Sequence, residues 1–290
     1  NLDAARIQIK RMYQIEQATE NYNAAMYNQA QADAAQQGKD QEQSYLYKQI
    51  TTNKDFKANT PSPQVLALKN SYQNAFSHYL AGFVFEALGE TGMARPGYLK
   101  ASQLLPANSI ATTAVNNIDK NVRPAKGMTD LLIVEETGHA PQIKSNQINI
   151  PINLNLVGTK DPCVNMINVF YPTLIVDKNN AASYSYTLDN TTMTPVPMTD
   201  VDLMMARSLS DETPHIVTRN ISAAVRNIAT SQAACTAGGS VGTLLSLGTS
   251  LGSTLIDNAD ERNWNLLPSK ININRTTIAY GTHTITVNVG

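Results

Sequence analysis

The residues best able to do chemistry sit in one short stretch. Glu135 and Glu136 follow an apolar run and precede Gly138-His139-Ala140-Pro141. A carboxylate pair near an imidazole could act as general acid and base. The same residues also fit the end of a strand and its turn, which is the plainer account. The four histidines, His78, His139, His215 and His283, lie far apart and show no metal-ligand spacing. No Gly-x-Ser-x-Gly nucleophile elbow is present. Asp200, Asp202, Asp211 and Glu212 read as helix-start charges rather than metal ligands. No catalytic residue, cofactor site or metal site is assigned, and the chain is expected to be non-enzymatic.

A stronger pattern is structural. Residues 78 to 106 match a helical hairpin of the tetratricopeptide (TPR) type. Gly82 takes the close-packed position of the first helix, Phe85 is the aromatic wedge, and Gly89 begins the turn. Ala94, Tyr98, Ala101 and Leu104 follow at the spacing of the second helix, and Pro106 ends it. Pro96-Gly97 departs from the pattern, since both residues weaken a helix interior; Pro96 is expected in the first turn. A single repeat cannot bury its own face, so the helices of residues 1 to 73 are expected to stack on it. The hairpin is expected to be the last of the helical layer.

Helical rhythm also runs through residues 1 to 50, with a turn near 36 to 40, and from Gln64 to Leu88. Residues 119 to 127 are polar and hold Pro124 and Gly127, which suggests a linker. Strands are expected at 130 to 135, 147 to 157, 167 to 176 and 183 to 188, with a poorer one at 193 to 198. Asp200 should cap one helix, and a second should run from Thr213 to Ser231 with Pro214 in its first turn. Two strands, 271 to 279 and 283 to 289, are expected to close as a terminal hairpin. The sum is an α+β chain. Residues 1 to 120 form a helical TPR-like interaction region, and residues 128 to 290 a mixed region with antiparallel strands.

Three further features have more than one reading. Cys163 and Cys235 are the only cysteines and suit one disulfide in an oxidising compartment, or two buried thiols. The Gly-rich segment 237 to 256 could be a packed helix or hairpin, a partner contact, or a membrane-inserted helix. Asp260, Arg262, Trp264 and Pro268 surround the only tryptophan and suggest a structural clasp or a partner contact. Net charge is −1, and only 16% of residues are charged. No electrostatic field draws nucleic acid, so nucleic acid is not an expected partner.

Several short motifs occur in one order: Phe76 to Gly89, Glu135-Glu136 with Gly138 to Pro141, Leu203 to Arg207, and Ala259 to Pro268 with Arg275 and Gly281-Thr282-His283. Together they resemble a poorly characterised family of bacterial cell-envelope proteins, often predicted lipoproteins, over about residues 70 to 290. The resemblance implies a periplasmic scaffold, at the outer membrane where a lipid anchor is carried, with other envelope proteins as partners. That anchor would lie upstream of Asn1. The resemblance brings no catalytic residues.

Overall fold

A computed structural model describes residues 1–37, 41–57, 60–151, 166–177, 184–236 and 266–289. The chain is α+β, with helices first and antiparallel strands mainly after them. The helices of the first part are α1 (Leu2–Gln37), α2 (Gln41–Thr52), α3 (Lys54–Lys57), α4 (Pro63–Ala67), α5 (Ala75–Ala87), α6 (Thr91–Leu104) and α7 (Ser109–Asp119). Then come β1 (Met128–Thr137), β2 (Gln142–Pro151), β3 (Met166–Ile175), β4 (Tyr184–Leu188), β5 (Thr191–Met193) and β6 (Val196–Asp200). The last elements are α8 (Val201–Thr236), β7 (Lys270–Ala279) and β8 (Ile285–Val289).

The expected hairpin is α5 and α6. Its turn is fixed by the backbone. Gly89 takes φ +77°, which a glycine adopts without steric cost. The Glu90 N–H then donates to the Phe85 carbonyl at 2.8 Å, and the Gly89 N–H to the Glu86 carbonyl at 3.0 Å. This pair of bonds is a Schellman cap. Ala94, Tyr98, Ala101 and Phe85 are buried between the helices, and Pro106 lies just past the end of α6.

Two details of the hairpin correct the sequence reading. Pro96 lies in the second turn of α6, not the first, because the helix begins at Thr91. Gly97 strengthens the hairpin instead of weakening it. A Cβ at Gly97 would stand 2.7 Å from the Gly82 nitrogen and 2.8 Å from the His78 carbonyl oxygen. The backbones cross there, and only glycine leaves room. The hairpin is also not the last helical element. Asn108 caps α7 by accepting from the Ala111 N–H at 3.0 Å, and Ala111 and Ala114 of α7 join the same core.

The helical run 64 to 88 is broken. Asn70 accepts from the Tyr72 and Gln73 N–H groups, and Asn74 then caps α5 by accepting from Ser77. These side chains offer the backbone an alternative to the helix. The Arg207 guanidinium donates to the Leu66 and Leu68 carbonyls, at 3.1 and 2.9 Å, and fixes the break onto α8.

Among the described residues the strands form three antiparallel sheets, ordered β1-β7-β6, β2-β3 and β5-β4-β8. The poor strand expected at 193 to 198 is split between β5 and β6. The expected terminal hairpin is not formed, because β7 pairs with β1 and β6 while β8 pairs with β4. The two helices expected after Asp200 are one. Asp200 does cap α8, accepting from the Leu203 N–H at 3.0 Å. The helix then continues through Pro214, where one backbone donor is lost. Val217 and Ile221 beyond it are buried with Leu46, Ile50, Ile148, Ile150, Val169 and Tyr171, and this packing outweighs the proline.

A second core joins the helices to the sheet. Met198 of β6 and Ile273 of β7 are buried with Tyr79, Phe85, Tyr98 and Ala101. Ile9 of α1 enters the same core. His78 of α5 is buried as well, with its Nε2 3.1 Å from Glu16 of α1 and its ring tilted against Tyr13. Packing accounts for this histidine.

At the β4–β5 turn, Asp189 and Asn190 both have positive φ, as a type I′ hairpin requires. Asp189 accepts from the Thr284 N–H at 2.9 Å and contacts His283 Nδ1. His283 Nε2 lies 2.8 Å from the Ala279 carbonyl oxygen. Both ring nitrogens thus face acceptors, which only the imidazolium satisfies. The bond to Asp189, then that to Ala279, holds the His283 pKa above its ordinary value, and the bonds from His283 and Thr284 hold the Asp189 pKa below its own. The imidazolium's contribution is complete below about pH 6.5 and is lost as pH rises through the raised folded value. The carboxylate's contribution is present above the ordinary aspartate range and is lost as pH falls through its lowered value. In an NMR titration, His283 should therefore deprotonate at higher pH in the parent chain than in Asp189→Asn. Coincident curves would rule this contact out.

Candidate functional site

A cluster of charged and aromatic side chains sits where α5, α6, β1 and β7 meet. Helical spacing puts Tyr79, Gly82, Phe83 and Glu86 on one face of α5. Tyr98 of α6 lies against Gly82, where a Cβ would stand 2.6 Å from its ring. On β7, the period of two puts Arg275 on the same face as the buried Ile271 and Ile273. That face turns toward the hairpin, so a charged side chain is carried into the core.

Arg275 is the hub. Its Nη2 donates to Glu86 Oε2 at 2.9 Å and to Asp130 Oδ2 at 2.6 Å. Its Nη1 donates to the Tyr98 hydroxyl at 2.9 Å, and that hydroxyl donates to Glu86 Oε2 at 2.5 Å. The guanidinium also lies over the rings of Phe83 and Tyr98, 5.2 and 5.8 Å from their centroids. Asp130 stands opposite Thr277 in the β1–β7 register and accepts from its hydroxyl at 3.0 Å. Only 13% of the Arg275 side chain is exposed, and 9% of Glu86.

Burial acts against the charge on Arg275. Its contacts with Tyr98, Asp130, Tyr79 and Glu86 outweigh that, and its pKa lies above the usual range. Burial raises the Tyr98 hydroxyl far above its usual range, and Arg275 offsets only part of this. Burial likewise raises the Tyr79 hydroxyl. The tyrosines are therefore neutral and the guanidinium charged at any physiological pH.

Beside the cluster opens a cleft of about 270 Å³. Tyr79, Glu86, Asp130 and Arg275 line its inner end. Ser109, Thr113 and Asn117 of α7 form one wall, with Ile110 and Ala114 as its apolar part. The segment linking α7 to β1 supplies Val122, Arg123 and Pro124 as the other wall. Arg123 Nη1 is 3.9 Å from Glu86 Oε1, within ion-pair reach but too far for a hydrogen bond. The linker read from the sequence is thus a wall of the site.

The residues singled out in the sequence are distributed unevenly around this site. Gly82 and Tyr98 build it directly. Phe85, Gly89, Ala94 and Ala101 hold the hairpin that presents it. Pro268 is half-buried next to Ser269, which is fully buried and donates to Asp202 at 2.7 Å. Cys163, Asp260, Arg262, Trp264, the segment 237 to 256 and the side chain of Cys235 lie outside the described residues.

Glu135, Glu136 and His139 are not brought together. Glu135 and Glu136 are neighbours in β1 and point to opposite faces. Glu135 lies near Tyr186, whose hydroxyl is raised by burial and then by that carboxylate. His139 is exposed and lines a different hollow with Gln142, Ile175 and Asp177. The acid–base reading required the three residues to line one pocket, and Glu135 and Glu136 face opposite sides of β1.

The sequence reading missed Glu86, Tyr79, Asp130 and Arg123 as site residues. The signal that could have found the site is Arg275, an arginine at an inward position after Ile271 and Ile273, which calls for a buried acidic partner. Comparison with family models, with curated proteins and with solved structures gives no match. Among the described residues no group of His, Cys, Asp and Glu could hold a metal ion, and no helix is long and apolar enough to cross a membrane.

Proposed function

We propose that this chain is a non-enzymatic scaffold or adaptor of the bacterial cell envelope. It acts in the periplasm and binds other envelope proteins, and neither nucleic acid nor a cofactor is part of the reading. The observation that carries it is the cleft beside the hairpin. Its walls come from three separate parts of the chain, and its inner end is a hydrogen-bonded network of Arg275 with two carboxylates, suited to positioning. The resemblance of the motif order to envelope proteins is what suggests the compartment.

The test is photo-crosslinking in the cell that makes the chain. A photoreactive residue at Val122, which is 50% exposed at the rim, reports on the cleft. The expected result is a reproducible adduct with one or a few envelope proteins, lost when Thr113→Trp fills the cleft. A chain that stays solitary under these conditions would overturn the reading.

A further inference from the structure

The hydrogen-bonding ledger of the cleft is incomplete, and what is missing describes an occupant. Arg275 directs its donors to Glu86 Oε2, Asp130 Oδ2 and Tyr98. Glu86 Oε1 accepts no hydrogen bond among the described residues; its nearest cation is Arg123, 3.9 Å away. Tyr79 lines the same cleft and is fully buried; its hydroxyl makes no hydrogen bond of normal length, and the Arg275 guanidinium is the cation that acts on it. A carboxylate oxygen that opens on a cleft and accepts no hydrogen bond is free to accept one from an occupant. The groups an occupant of the cleft can reach are an anionic acceptor at the inner end and, at the rim, a guanidinium that is 40% exposed.

We propose that the cleft binds the ammonium end of a peptide. The ammonium donates to Glu86 Oε1. The first carbonyl or carboxylate accepts from Arg123, which leaves its loose approach to Glu86. Ser109, Thr113 and Asn117 meet the polar backbone, and Ile110 and Ala114 meet a small side chain. The volume suits one or two residues, below the usual range for drug-sized ligands. Two sources share this chemistry, a free short peptide and the N-terminus of a partner protein. The proposal rests on the scaffold reading and gives its partner a chemistry.

The test uses the full chain, labelled with ¹⁵N, and three probes: L-alanyl-L-alanine, its C-terminal amide and its N-acetyl derivative. The two probes with a free ammonium should shift the amides of Thr113, Asn117 and Arg123 saturably. Acetylation should weaken binding about tenfold or more, because a charge-assisted bond is lost. If the amide binds as well as the free acid, the source is a protein terminus; if the acid binds much better, it is a free peptide. Thr113→Trp, at an exposed position, should abolish the shifts while leaving the rest of the spectrum intact. Absence of saturable shifts with all three probes would overturn the proposal, as would equal binding of the acetylated probe. A partner still captured at Val122 would then leave the scaffold reading standing. Dipeptide binding without any captured partner would do the reverse.

Discussion

Replacing Arg275 by methionine should lower stability by about 3–5 kcal/mol, because it leaves the part-buried Asp130 without a counter-ion and Glu86 with only the loose approach of Arg123. Urea unfolding of the purified chain measures this. Arg275→Lys should recover little, since one ammonium cannot match the guanidinium's fixed fork to Tyr98, Glu86 and Asp130 together. The double variant Arg275→Met with Glu86→Gln should be less destabilised than the sum of its parts, as partners in one network are coupled. Arg123→Gln is the contrast. Its side chain is exposed and only loosely approaches Glu86, so its effect should stay within about 0.5 kcal/mol. A loss below about 1 kcal/mol for Arg275→Met, no more than a typical point mutation, would mean that the network does not hold the hairpin to the sheet.

The second large effect belongs to Gly97. In Gly97→Ala the new methyl would meet the backbone of α5 at the Gly82 nitrogen and the His78 carbonyl. Backbone cannot turn aside as a side chain can, so the two helices must separate, at a cost of about 2–3 kcal/mol. Gly82→Ala would meet the Tyr98 ring instead, and that ring is held by Glu86 and Arg275, so it too should destabilise. Gly92→Ala provides the control. It lies in the first turn of the same helix with nothing within 4 Å of the added carbon. It should be neutral or gain about 0.5–1 kcal/mol, through the unfolded chain's lost freedom. Thermal unfolding of the three variants would show the order. If Gly97→Ala and Gly92→Ala melted alike, the close approach of α5 and α6 would be disproved.

What could be read from the sequence was local. The hairpin was legible because Gly82, Phe85, Gly89, Ala94, Tyr98 and Ala101 carry its signal within about twenty residues, and each is explained by a neighbour in the same hairpin. The α+β order was legible for the same reason, since a period of two or of three to four needs only a short window. The misreadings involve decisions taken at a distance. Pro214 looked like a helix start, and only packing with β2, β3 and α2 shows that the helix continues. The segments 271 to 279 and 283 to 289 looked like a hairpin because one turn joins them. The partners of β7 are β1 and β6 and that of β8 is β4, all about seventy or more residues away in the register. The site was the least legible part, because its carboxylates come from positions 86 and 130 and its cation from 275. Each alone is an ordinary surface residue type.

That spacing has a consequence for how the chain is made. The contact between Arg275 and Glu86 closes 189 residues, and that between Arg275 and Asp130 closes 145. Contacts of such range form late in folding, since the long loop must close before they return anything. During synthesis α5 and α6 emerge from the ribosome well before β7. The nascent hairpin must wait with the Glu86 carboxylate unneutralised and one side of Tyr98 uncovered. Arrival of β7 supplies the cation and Ile273 in the same step. The strand therefore serves as a completion signal, and a chain stalled before residue 275 would leave a sticky hairpin for chaperones and proteases to find.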